Sequence, residues 1–90
     1  MNREWKRLLG VSVRENRMRS GLTQRDLAAL LRDSGFSRCS RALLSQIEAG
    51  VATIRGYEIY YLRKVFGKAF ESEFWKPFRE RAVPASKKNP

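Results

Sequence analysis

The chain has no histidine, one cysteine, three prolines and only nine acidic residues among 90. Each scarcity excludes something. Without histidine the usual general base near neutral pH is missing, and the nine carboxylates include no pair that stands apart from a solvated helix face. No enzymatic activity is expected. Cys39 cannot close an intramolecular disulfide by itself, and with no histidine in the chain a structural zinc site lacks ligands. A small packed thiol is expected there, with no metal and no cofactor. No apolar run approaches the ~20 residues of a membrane span. The opening MNREWKRLLG breaks its apolar positions with charge, so it lacks the continuous apolar region of a secretory signal. These features lead to the expectation of a soluble cytoplasmic protein with no membrane association and no evident small-molecule ligand.

What the chain has in excess is positive charge. Lys and Arg number 19 against nine acids, a formal net charge of +10, and most of the cations are arginine. The guanidinium fork makes paired hydrogen bonds to phosphate and to guanine, whereas a lysine behaves as a hydrated point charge. A polyanionic partner is implied. Charge alone would equally suit RNA, an anionic membrane surface or an acidic protein, so the order of the residues has to discriminate.

With 90 residues, 42% of them hydrophobic, the chain is expected to form one domain with a single modest core. Its apolar periodicity is helical throughout, which predicts an all-α fold of four to five helices. Leu9, Val13 and Arg17, spaced four apart, line one side of a first helix that also carries Trp5, Leu8 and Met18. Gly10 interrupts the pattern at a cost of about 1 kcal/mol relative to Ala, so the firm part of the helix is placed over 11–19, the turns before it are held more loosely, and Gly21 ends it. Thr23 and Asp26 form a carboxylate variant of the capping box at the start of a second helix. There Leu27, Ala28, Leu30 and Leu31 share one half of the circumference, and Ala28 is small enough for another helix to cross closely. A third helix begins at Ser40 and stops at Gly50, and a fourth carries Ile59, Leu62, Val65 and Phe66 inward before Gly67. Phe70, Phe74, Trp75 and Phe78 then form an amphipathic aromatic segment whose end is left open by Pro77.

The third helix is the most informative. Leu43, Leu44 and Ile47 fall within about 100° of its circumference, while Arg41, Ala42, Ser45 and Gln46 occupy the opposite side. An arginine, a methyl, a hydroxyl and an amide are the groups that read base edges in a major groove: Arg toward guanine, Gln toward adenine, Ser toward either, Ala against a thymine methyl. No acidic residue lies between Asp33 and Glu48, although Arg38 and Arg41 do. A helix N-terminus set among uncompensated arginines is a place for phosphates.

Taken together, GLTQRDLA at Gly21 to Ala28, LSQIEAG at Leu44 to Gly50, LG at Leu9 and Gly10, Arg17 and the closing KVFG resemble the phage-repressor-like, or Cro/XRE-type, helix-turn-helix family over roughly residues 9–67. The resemblance implies a compact lambda-repressor-like domain that binds double-stranded DNA. It implies that Gln24 bonds a phosphate, that Arg41, Ala42 and Gln46 face the major groove, and that Arg17 and Glu48 pair across the fold. With Gln24, the residues Arg25, Arg38, Ser40, Thr53, Arg55 and Tyr57 complete the expected phosphate contacts. A two-fold dimer repressing a pseudo-palindromic operator, in a bacterial or phage cytoplasm, is the corresponding function. The chain departs from the family's pattern between the motif helices, where LLRDSGFSRCS is longer than the usual tight turn. Either the second helix runs on to about Ser34, or a loop bulges out and carries Arg38 toward DNA. Phe36 is expected to fold inward beneath it, with Leu43 near.

The expected organisation is a helix-turn-helix domain over 1–68, the aromatic segment over 69–83 and a disordered tail over 84–90. Phe70, Phe74, Trp75 and Phe78 either cap the monomer core or form the homodimer contact. The competing function is an antitoxin-like or adaptor module that holds a protein partner through this segment.

Overall fold

A computed structural model describes residues 3–79, and all regular structure among them is helical. The helices are α1 (Arg3–Arg19), α2 (Gln24–Ser34), α3 (Arg41–Glu48), α4 (Ile59–Phe66) and α5 (Ala69–Phe74), with a 3-10 turn at Gly56–Glu58 leading into α4. The expected tail over 84–90 lies outside the described residues. No described helix is long and apolar enough to cross a membrane.

Leu9 and Val13 from α1 meet Leu27, Ala28 and Leu31 from α2, Leu44 and Ile47 from α3, and Leu62 from α4 in one core. Two aromatic rings of the C-terminal segment complete it. Phe70 and Phe74 are 2% and 0% exposed and stack with centroids 4.5 Å apart. Of the two alternatives for this segment, these two rings take the first and cap the monomer core. Trp75 and Phe78 are half-buried, and the Phe78 ring lies 4.9 Å from Trp5 at the start of α1. Pro77 neither kinks nor ends α5. It sits in the first turn of a separate helical stretch over 76–79, where a missing N–H costs nothing.

Three features of α1 and α2 revise or extend the reading from the sequence. First, α1 runs unbroken through Gly10 to Arg3. A Cβ at position 10 would lie 2.5 Å from the Ile47 carbonyl oxygen and 2.6 Å from that of Glu48, so the glycine is where the backbones of α1 and α3 touch. Second, Met18 is 58% exposed, and α1 instead buries Ser12 and Asn16. At 100° per residue these two lie close to the Leu9 direction while Met18 points the opposite way. Both are satisfied: the Ser12 hydroxyl donates to the Phe74 carbonyl, and Asn16 Nδ2 donates to the Ser12 carbonyl at 2.9 Å. Third, Leu30 is 43% exposed. It lies on the far edge of the apolar arc of α2, about 100° from Leu31.

The long connection between α2 and α3 is a built structure. Helix α2 does run on to Ser34, and residues 35–40 then form an ordered turn. Gly35 stands at φ 126°, a left-handed value, and a Cβ there would also meet the Tyr61 ring at 2.6 Å. Phe36 and Cys39 are buried as anchors, and Arg32 Nη1 donates to the Cys39 carbonyl at 2.8 Å. Burial pushes the Cys39 thiol up to about 11, so it is a packed, unreactive group.

Candidate nucleic-acid interface

Helix α3 is held on one side and open on the other. Leu44 and Ile47 are fully buried and Leu43 packs against the core, whereas Arg41, Ala42, Ser45 and Gln46 are all exposed. The Ser40 hydroxyl caps the helix by accepting the Leu43 N–H at 3.0 Å, which leaves its own O–H as a donor. Arg41 occupies the first helical position, where the positive end of the helix dipole opposes a cation by about 0.3–1 kcal/mol. An anion seated there would relieve both charges.

The C-terminal turn of α3 is fixed by a polar network. Arg17 from α1 grips the Glu48 carboxylate through Nε and Nη2, at 2.7 and 3.0 Å, and its Nη1 donates to the Leu22 carbonyl at 2.8 Å. Gln24 Nε2 donates to the same carboxylate at 3.1 Å. One N–H of Gln24 is thus committed inside the domain, and the amide has a second N–H to donate. Beside this network an open concavity is lined by Met18, Thr23, Gln24, Arg25, Asp26 and Arg41, among others, between the start of α2 and the start of α3. Arg25 and Arg41 are exposed and take part in no ion pair among the described residues. Arg14 from α1 reaches a second concavity against Ser45 and Ala49.

The remaining expected phosphate residues fall together. Thr53, Arg55 and Tyr57 lie on the linker after α3, with Arg55 Nη1 3.4 Å from the Tyr57 hydroxyl. Arg38, from the turn before α3, does not project outward on a loose loop. It lies against this linker, bonded to Glu58 through Nε at 2.7 Å and Nη2 at 2.8 Å. Glu58, which joins these segments, is a residue that reading the sequence missed. It is 2% exposed and also accepts the Arg55 main-chain N–H at 2.6 Å. Its spacing of three from Arg55, just ahead of an apolar run, is the available signal, since a carboxylate there reaches back to cap the turn. Burial pushes the Glu58 carboxyl up, but the bonds from Arg38 and the Arg55 N–H outweigh it and hold the group below its ordinary value.

No family profile, curated protein or solved structure matches the chain. The functional reading therefore rests on this geometry and on the sequence motifs.

Proposed function

We propose that the chain is a sequence-specific double-stranded DNA-binding regulator of the phage-repressor-like helix-turn-helix type. The observation that carries this reading is the division of α3: its inner side is locked by Leu44, Ile47 and the Glu48 network, while Arg41, Ala42, Ser45 and Gln46 stand exposed with no structural duty. In this reading α3 enters the major groove, α2 crosses the backbone at Gln24 and Arg25, and the linker after α3 meets phosphates. Bound as a two-fold dimer, the protein represses by occluding a promoter. The protein-adaptor alternative is less well supported, because Phe70 and Phe74 are spent on the chain's own core. Selection of bound sites from random duplex DNA tests the proposal. A pseudo-palindrome with half-sites about 10 base pairs apart is expected, and recovery of duplexes with no shared sequence would overturn it.

A further inference from the structure

We propose that Glu58 assembles one phosphate-binding site from the two loops that flank α3, and so acts as a positioning residue for polyanion binding. The inference rests on the DNA-binding reading above and deepens it. Arg38 comes from the turn before α3, and Arg55 and Tyr57 come from the linker after it, so the chain alone does not require them to meet. The Glu58 carboxylate brings them together, with one oxygen on Arg38 Nε and the other shared between Arg38 Nη2 and the Arg55 N–H. Arg38 Nη2 lies 3.5 Å from the Thr53 carbonyl on the same linker.

The chemistry of the outward surface follows from how these bonds are spent. Glu58 has a side chain only 3% exposed and presents no negative edge to a ligand. The Arg38 side chain is 36% exposed, and its bidentate grip uses Nε and Nη2, leaving the Nη1 edge. That edge, the exposed Arg55 guanidinium and the Tyr57 hydroxyl, which lies 3.4 Å from Arg55 Nη1, are donors carried by segments that Glu58 ties together. A tetrahedral oxyanion fits such a set, and a backbone phosphodiester beside α3 is the source assigned here.

The sign of one substitution separates positioning from charge. Glu58→Gln removes a negative charge from a chain already at a net +10, so simple electrostatics predicts equal or tighter binding to any polyanion. Positioning predicts weaker binding. The experiment measures affinity for an arbitrary-sequence duplex across a salt series, because phosphate contacts do not depend on sequence. Glu58→Gln is expected to lose roughly five- to tenfold in affinity and to flatten log K against log salt by about 0.9, one phosphate's share. Arg55→Ala should lose about as much, and the two changes together little more. In the free protein, amide exchange should quicken at 35–40 and 51–57 while α1 and α3 keep their protection.

If Glu58→Gln fails to fold, Glu58→Asp keeps the charge and both arginines but shortens the reach of the carboxylate, and should lose affinity in the same direction. Unchanged or tighter binding by the folded variant, or exchange that quickens uniformly over the whole chain, would overturn the inference while leaving the DNA-binding reading in place. If the wild-type chain retains no duplex at all, both fall. Inorganic phosphate alone should show no saturable binding to the wild-type chain, and saturable binding that is lost in Glu58→Gln would overturn the backbone assignment in favour of free phosphate.

Discussion

Arg17 closes on Glu48 through two hydrogen bonds, so the last turn of α1 holds the last turn of α3. The side chains are 14% and 5% exposed, and Gln24 adds a third bond to the same carboxylate. Removing one partner leaves the others short of water and of a counter-charge. Glu48→Ala is therefore expected to cost about 2–4 kcal/mol, read as a lower urea midpoint with an unchanged slope. Replacing both members by Met should recover most of that loss, since the attraction is largely offset by desolvation. A double variant as unstable as the single one would show that the pair is a net stabiliser, not an orienting device.

Gly10 and the α3 carbonyls give a second case, in which two effects have opposite sign. Helix propensity alone favours Gly10→Ala by about 1 kcal/mol. The added Cβ, however, would meet the Ile47 and Glu48 carbonyl oxygens at 2.5 and 2.6 Å, and both belong to helix backbone that cannot turn aside. Overpacking of this kind costs about 1–3 kcal/mol, and backbone on both sides places the cost at the upper end. Net destabilisation is expected in chemical denaturation. A stabilised variant would mean that α1 and α3 separate without cost.

These two sites also show what the sequence made legible. The helices and the inner face of α3 followed from apolar spacing, because side-chain direction on a helix is set by residue number alone. The capping box at Thr23 and Asp26 was equally local, and its two bonds are present at 3.0 and 3.3 Å. Gly10 read as an interruption because its reason lies 37 residues away, at Ile47. Burial of Ser12 could not be anticipated from apolar spacing, since the Phe74 carbonyl that satisfies it comes from a distant element. Arg38 and Glu58 were likewise separate charges until the fold brought them together. What remained hidden was the tertiary partner in each case, not the local conformation.

Phe74 tests the role of the C-terminal segment. Its ring is fully buried and touches Phe70, Trp75 and Phe78. Phe74→Ala should cost about 3–5 kcal/mol, enough to bring a domain of this size near unfolding. Because the ring packs within its own chain, the loss should not depend on protein concentration. A melting temperature that recovers at high concentration would instead place the ring at a subunit contact. Changing the half-buried Trp75 and Phe78 to Ser and measuring mass by ultracentrifugation completes the test: a folded monomer would assign those two rings to an interface.

Glu58 should make stability depend on acid. Its carboxyl is held below the ordinary value of 4.5, so the folded state binds the proton less readily than the unfolded chain. The stabilisation is fully present above the unfolded value and disappears as pH falls through the lower, folded one. The stability gap between wild type and Glu58→Gln should thus be constant from pH 8 to about pH 5 and shrink below about pH 4.5, the range in which an unfolded carboxylate titrates. Denaturant midpoints of both proteins at matched pH measure it. A gap that stays the same at low pH would mean that Glu58 contributes no proton-linked stability.

Arg41 and Arg55 should fail in different ways when truncated. Arg41 stands exposed on the outer face of α3, where the guanidinium fork suits a guanine edge. Arg41→Ala is expected to cost about 1–3 kcal/mol on the selected site and to relax preference at one base pair. Arg55 lies on the linker, its backbone fixed by Glu58 and its side chain turned to solvent. Arg55→Ala should weaken binding by a similar factor on every duplex and flatten the salt dependence, because a lost phosphate contact carries no sequence information. Binding measured on the selected site and on a scrambled duplex, each at two salt concentrations, separates the two. Uniform loss from Arg41→Ala would remove α3 from the groove, and an unchanged salt slope in Arg55→Ala would remove the linker from the backbone.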